Sequence, residues 1–254
     1  MLQSLRVLEE TTKLGHVELS GQFKQLRYRA YDQLAEVERH LTVGSHFLAP
    51  RLYLLIDCST PNESFLVRRF SDCAQAGVGL FQLRDKRADG ALLLSYAKAA
   101  VEAVGTDCVI VNDRVDIALA SGVGGVHVGQ EDLSIQIVRQ LTRGTNLKIG
   151  VSTHNIEQAL QAQRDGADYI GCGPTFPSTT KQFSDFAGLD FLRQVVERIE
   201  IPAYAIGGIN AENLQQVLHA GFRRVAVSGA VLNAESPEAA ADEISKMLVA
   251  NCAD

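Results

Sequence analysis

Asp113 and Asp132 each close a short, mostly apolar run, VIVN and GVHVGQE. If those runs are neighbouring strands, their axes lie about 4.8 Å apart. Two carboxylates that close repel unless a cation sits between them. Magnesium suits such a pair, because it takes one or two carboxylates and completes its shell with substrate phosphates. Asp132 has a second reading, as the cap of the helix beginning in DLSIQ. Arg84, Lys86 and Lys181 are cations in polar segments, and together they can neutralise a diphosphate. Any one of them alone reads as ordinary solvated charge. Ser178, Thr179 and Thr180 stand between Pro177 and Lys181, hydroxyls that suggest a phosphate-contacting loop, with an ordinary polar loop as the competing reading. Gly207-Gly208 and Ser228-Gly229 are sites where an anion can approach the backbone and meet the N–H groups of a helix start. Two tight turns are the competing explanation. His127, inside the apolar VHV, reads better as a structural histidine than as a catalytic one. His154 reads as part of a helix start.

These residues need a frame. Apolar runs suited to strands fall at 51–57, 78–83, 107–112, 124–128, 147–151, 167–171, 202–206 and 223–228. Helix-like stretches follow them at 63–76, 89–104, 114–121, 131–142, 154–164, 188–199, 210–219 and 235–249. Runs apolar on both faces belong to parallel sheets covered by crossover helices. Eight strand–helix units predict an α/β fold, a TIM (β/α)8 barrel, with its active site at the C-terminal ends of the strands. An open doubly wound sheet is the alternative, but no GxGxxG follows the first strand. At the predicted rim stand Gln82 to Lys86, Asn112 to Arg114, Gln130, Ser152, residues 173–181, Gly207-Gly208 and Ser228-Gly229. The loops after strands seven and eight are a common phosphate site in this fold.

Residues 4–42 differ: charged, without proline and helical in spacing, with Gly15 dividing them into two helices. Pro50 forbids their continuation into the barrel. The expected division is therefore a helical N-terminal domain at 1–46 and a barrel at 47–254.

Composition narrows the classes. The 254 residues are 46% hydrophobic and 21% charged, as in ordinary globular proteins. No window approaches the ~18 apolar residues of a membrane helix. The first ten residues lack a secretory core. A net charge of −6 argues against a nucleic-acid or anionic-membrane surface. Five scattered cysteines with no CxxC argue against a disulfide scaffold or structural zinc, and favour a cytoplasmic setting. Homo-oligomeric assembly is compatible with all of this.

QLRDK at 82–86, VNDR at 111–114, GVHVGQED at 125–132, IGVSTH at 149–154, GCGPTFPSTTK at 171–181 and AIGGI at 205–209 occur in this order. The ordered set resembles the thiamine phosphate synthase family over about residues 50–248. That family is a TIM barrel joining hydroxymethylpyrimidine diphosphate to hydroxyethylthiazole phosphate, and it releases diphosphate. The resemblance implies that Gln82, Leu83, Arg84, Asp85, Lys86, Asn112, Ser152 and Lys181 bind the pyrimidine diphosphate. Arg84, Ser152 and Lys181 stand as the catalytic group. It implies that Asp113 and Asp132 hold Mg2+, and that Ser178, Thr179, Thr180, Gly208, Ser228 and Gly229 bind the thiazole phosphate. Two departures stand out. Ser178 occupies a place usually held by threonine, and Ser228-Gly229 carries its hydroxyl one position earlier than the family does. The N-terminal helices resemble a small domain found ahead of some synthase barrels, and no chemistry is assigned to them.

Two rival functions remain. A thiazole tautomerase of related fold would use an acid–base residue such as His127 and would not need the full ThrThrLys loop. A non-catalytic sensor of thiamine-pathway phosphates would bind without turnover. Asp113, Asp132 and Lys181 favour the synthase, since only it must activate a leaving group.

Overall fold

The computed structural model describes residues 2–13, 15–42, 49–58, 63–85, 89–177 and 186–251. The chain forms two compact units, Met1–Ser45 and His46–Asp254. The first is a helical hairpin, α1 (Leu2–Thr12) and α2 (Val17–Thr42). The break falls around Gly15, whereas Gly21 stays inside α2. Glu9 is buried in the hairpin, where Arg27 Nε donates to its carboxylate at 2.9 Å and Ser20 Oγ to its carbonyl at 3.0 Å.

The second unit holds eight parallel strands closed in sequence order. They are β1 (Leu52–Asp57), β2 (Leu80–Arg84), β3 (Val109–Asn112), β4 (Gly125–Val128), β5 (Lys148–Thr153), β6 (Tyr169–Cys172), β7 (Ala203–Ile206) and β8 (Val225–Val227). Between and after them run α3 (Glu63–Gln75), α4 (Gly90–Val104), α5 (Val115–Ser121), α6 (Ile135–Leu141), α7 (Ile156–Arg164), α8 (Gly188–Arg198), α9 (Leu214–His219), α10 (Gly229–Leu232) and α11 (Pro237–Ala250). The expected (β/α)8 barrel is therefore the observed one. The sequence did not anticipate the four-residue α10 or the 3-10 turn at Thr106–Cys108.

Side-chain alternation makes two cores. Leu52, Leu54, Ile56, Phe81, Leu83, Val126 and Ile170 face outward and pack with the helices. Tyr53, Leu80, Ile110, Tyr169, Tyr204 and Ala226 face inward and fill the lumen. The register keeps these sets apart: Tyr53 pairs with Leu80 and with Ala226, and Gly150 with Tyr169. Gly150 is a steric requirement. A Cβ there would lie 2.0 Å from Tyr169 Cζ, so the tyrosine ring occupies the space a side chain would need.

Helix starts follow the capping preference for short polar side chains. Asp89, Ser134, Asn155 and Ser236 each accept a backbone N–H in the first turn of α4, α6, α7 and α11. Among the described residues no helix is long and apolar enough to cross a membrane.

Candidate active site

At the C-terminal end of the barrel lies a cavity of about 540 Å³. Gln82 and Arg84 reach it from β2, Asn112 and Asp113 from β3, and Asp132 from the loop after β4. Ser152 of β5 lines it, as do Gly208 beyond β7 and Ser228 and Gly229 beyond β8. Nine predicted site residues thus share one cavity. Leu83 does not join them. It follows Gln82 on a strand, so its side chain points the opposite way, and it is fully buried between barrel and helices. Asp85 stands past the end of β2, outside the described lining. Lys86, Ser178, Thr179, Thr180 and Lys181 lie outside the described residues.

Asp113 has φ +61°, the one positive φ on a non-glycine residue among those described. Short polar side chains tolerate this region best. Its N–H donates to the His127 carbonyl at 2.8 Å, tying the end of β3 to β4. The neighbouring Arg114 is turned to Asp116, with Nη2 to Oδ2 at 2.6 Å. Asp132 is not the helix cap. Ser134 fills that role, and one oxygen of Asp132 instead accepts the Gly129 N–H at 2.8 Å. That bond folds the loop so that Asp132 lines the cavity with Asp113.

His127 is buried at the edge of the cavity, and burial pushes its imidazole down to about 4, so the ring is neutral at ordinary pH. One ring nitrogen meets Tyr169 Oη at 3.0 Å, and the other meets Ser152 Oγ at 2.9 Å. It is structural in its burial, as its apolar surroundings suggest, yet it touches a predicted substrate residue directly. His154 precedes the Asn155 cap, and its Nδ1 lies 2.6 Å from the Gly173 carbonyl oxygen, at the cavity wall.

The loops after β6 and β7 are stitched together. Thr175 N donates to the Ile206 carbonyl at 2.9 Å, and Phe176 N to the Gly207 carbonyl at 3.0 Å. Asn213 Nδ2 donates to the Gly208 carbonyl at 2.8 Å. Gly207 (φ +97°) and Gly208 (φ +66°) are required twice over, by conformation and by space. A Cβ would lie 2.7 Å from Pro174 Cα at the first and 2.4 Å from the Pro177 carbonyl oxygen at the second. Ser228 caps α10 without a side-chain bond, leaving its hydroxyl to the cavity.

Sequence reasoning missed Tyr53, Asp57, Tyr204 and Asn210 in the lining. The tyrosines carried a usable signal. A tyrosine in the middle of a buried strand must find a partner for its hydroxyl, and three strands here each place one in the lumen.

Three comparisons bear on this site. The sequence profile described as thiamine monophosphate synthase matches residues 52–231. Thiamine-phosphate synthase of Rhodopirellula baltica is 43% identical over 240 residues, covering 90% of this chain and 64% of that protein. The Gloeobacter violaceus protein of the same name is 41% identical, covering 92% and 68%. The chain thus spans about two thirds of the length of these curated relatives. The solved thiamine phosphate pyrophosphorylase of Pyrococcus furiosus superposes with a TM-score of 0.73 at 33% identity, covering 82% of this chain and all of that one. With a profile match across the barrel, relatives above 30% identity and a shared fold, the chain belongs to the thiamine monophosphate synthase family.

Proposed function

We propose that the chain condenses hydroxymethylpyrimidine diphosphate with hydroxyethylthiazole phosphate, forming thiamine phosphate and diphosphate. One observation carries this: a single cavity gathers two carboxylates, an arginine and amide groups from β2 to β4, and the paired loops of β7 and β8 on another wall. Membership of the family, with its relatives named for this reaction, supports the same reading.

The residues fit a magnesium ion. Asp113 and Asp132 offer only hard oxygen donors, and two carboxylates plus substrate phosphate are the ligands Mg2+ prefers. One oxygen of Asp132 is taken by Gly129 N–H, so the other is the one for the cation. When bound, magnesium supplies charge neutralisation to the departing diphosphate. Arg84 at the cavity wall adds to that neutralisation, and the sequence motifs assign Lys86 and Lys181 the same part. Gln82, Asn112 and Ser152 orient the pyrimidine diphosphate. Gly208, Ser228 and Gly229 hold the thiazole phosphate, joined by Ser178, Thr179 and Thr180.

The bond from the pyrimidine methylene carbon to oxygen breaks, and its electron pair leaves with diphosphate. The electron-rich aminopyrimidine stabilises the carbon left behind. The thiazole nitrogen lone pair then forms the new C–N bond. No protein nucleophile or general base is needed. The chain contributes position, charge and exclusion of water.

The test is purified protein with both substrates, with and without magnesium, followed for thiamine phosphate and diphosphate. Magnesium-dependent appearance of both in equal amount is the expected result. Binding of the thiazole phosphate without either product overturns it.

A further inference from the structure

A line of five polar side chains crosses the lumen at the floor of the cavity. Gln82 Nε2 donates to Tyr53 Oη at 2.7 Å. Tyr53 Oη and Tyr169 Oη are 3.2 Å apart. Tyr169 Oη lies 3.0 Å from His127 Nδ1, and His127 Nε2 lies 2.9 Å from Ser152 Oγ. Gln82, Tyr53, Tyr169 and His127 are buried; Gln82, Tyr53 and His127 border the cavity floor, and Ser152 is the more exposed member of the line.

Counting hydrogens gives the line a direction. Burial pushes both phenols up, so each carries one proton. Tyr53 Oη accepts from the Gln82 amide, and its own hydrogen is satisfied by donating to Tyr169. Tyr169 then donates to His127 Nδ1, which must be bare. The ring proton sits on Nε2 and is given to Ser152 Oγ. The opposite order would aim two hydrogens at Tyr53 Oη and strand its own, a cost of about 1–3 kcal/mol for a buried donor. The Ser152 oxygen therefore accepts from below, and its hydrogen faces the cavity.

We propose that the line Gln82–Tyr53–Tyr169–His127 locks His127 in its Nε2–H tautomer and so makes the Ser152 hydroxyl an obligate donor to an acceptor atom of the bound pyrimidine diphosphate. The substrate named here rests on the condensation reading; the tautomer does not. Tyr53, Tyr169 and His127 are positioning residues: His127 and Tyr169 stand on the strands either side of Ser152, and Tyr53 stands on β1, remote from it. Gly150 belongs to the same device, because its missing side chain leaves room for the Tyr169 ring.

The experiment is nitrogen NMR on histidine-labelled full-length protein, with the His127 signals assigned by a His127→Asn control. The wild-type ring is expected to carry its proton on Nε2. Tyr169→Phe keeps the ring and removes the donor, so His127 is expected to become a mixture of tautomers. In that variant KM for the diphosphate substrate should rise about tenfold, the worth of one hydrogen bond to a charged group. KM for the thiazole phosphate should stay within about twofold, a split that general loosening of the core would not give. Gln82→Glu accepts only once its carboxyl ionises, so raising the pH through that ionisation should reverse the line and move the proton to Nδ1, and it decides the matter if Tyr169→Phe does not fold. A wild-type Nδ1–H tautomer, or a tautomer indifferent to both substitutions, overturns the proposal. Absence of condensation with the tautomer as expected overturns the substrate reading and leaves the relay standing.

Discussion

Asp113 shows how much a single residue is asked to do. Its backbone is held in a region that costs a non-glycine residue of order 1–3 kcal/mol, and the bond from its N–H to the His127 carbonyl helps hold it there. The return is a carboxylate aimed at the cavity. Asp113→Ala is expected to cut condensation by at least about 100-fold, and so is Lys181→Ala, with thermal unfolding of each unchanged within a few degrees. Steady-state assays beside melting curves check this, and near-normal turnover in either variant removes that residue from the site. At this scale the sequence was legible where charge and hydroxyl type carried the signal, as at Asp113, Arg84 and Ser152. It was ambiguous at Asp132, because spacing cannot tell a cap from a loop carboxylate; Ser134 two residues on settles it. It misled at Leu83, because a motif is contiguous whereas a strand sends successive side chains to opposite faces.

Among elements, the loops that follow β6 and β7 act as one unit. The glycine pair at 207–208 is where residues 174–177 pass over the strand end. Gly208→Ala combines a positive φ with a contact that cannot be met. It is expected to destabilise the protein by about 1–3 kcal/mol and to raise KM for the thiazole phosphate more than for the diphosphate substrate. Denaturant titration and initial-rate kinetics read both. A variant of wild-type stability and KM would show that the two loops move independently. The alternation of strands and helices was readable because turns and polar strand ends punctuate it. Tyrosines apart, which strand residues face inward was not readable, since both faces are apolar until the sheet closes and divides Leu80 and Ile110 from Phe81 and Val111. The four residues of α10 are too few for any periodicity to register.

The whole molecule divides into a hairpin and a barrel, each compact. The hairpin exposes Val7, Val17, Leu26 and Tyr28 on its own surface. Its buried Glu9–Arg27 pair is spent on holding its two helices together. The cavity, by contrast, is lined from β1 to β8 and their loops. A protein lacking residues 1–46 is therefore expected to fold and to keep measurable condensation activity. Circular dichroism and the coupled assay test this, and a soluble, folded and inactive barrel would assign the hairpin a part in the reaction.

The three tyrosines, packed edge to face, bear on traffic. Their ring centres lie 5.2 to 6.2 Å apart, and they plug the lumen under the cavity. Among the described residues, the floor offers no back door. Under the proposed condensation, two reactants would enter and two products would leave by the same doorway, so whichever molecule lies deepest would depart last and each turnover would end in a queue.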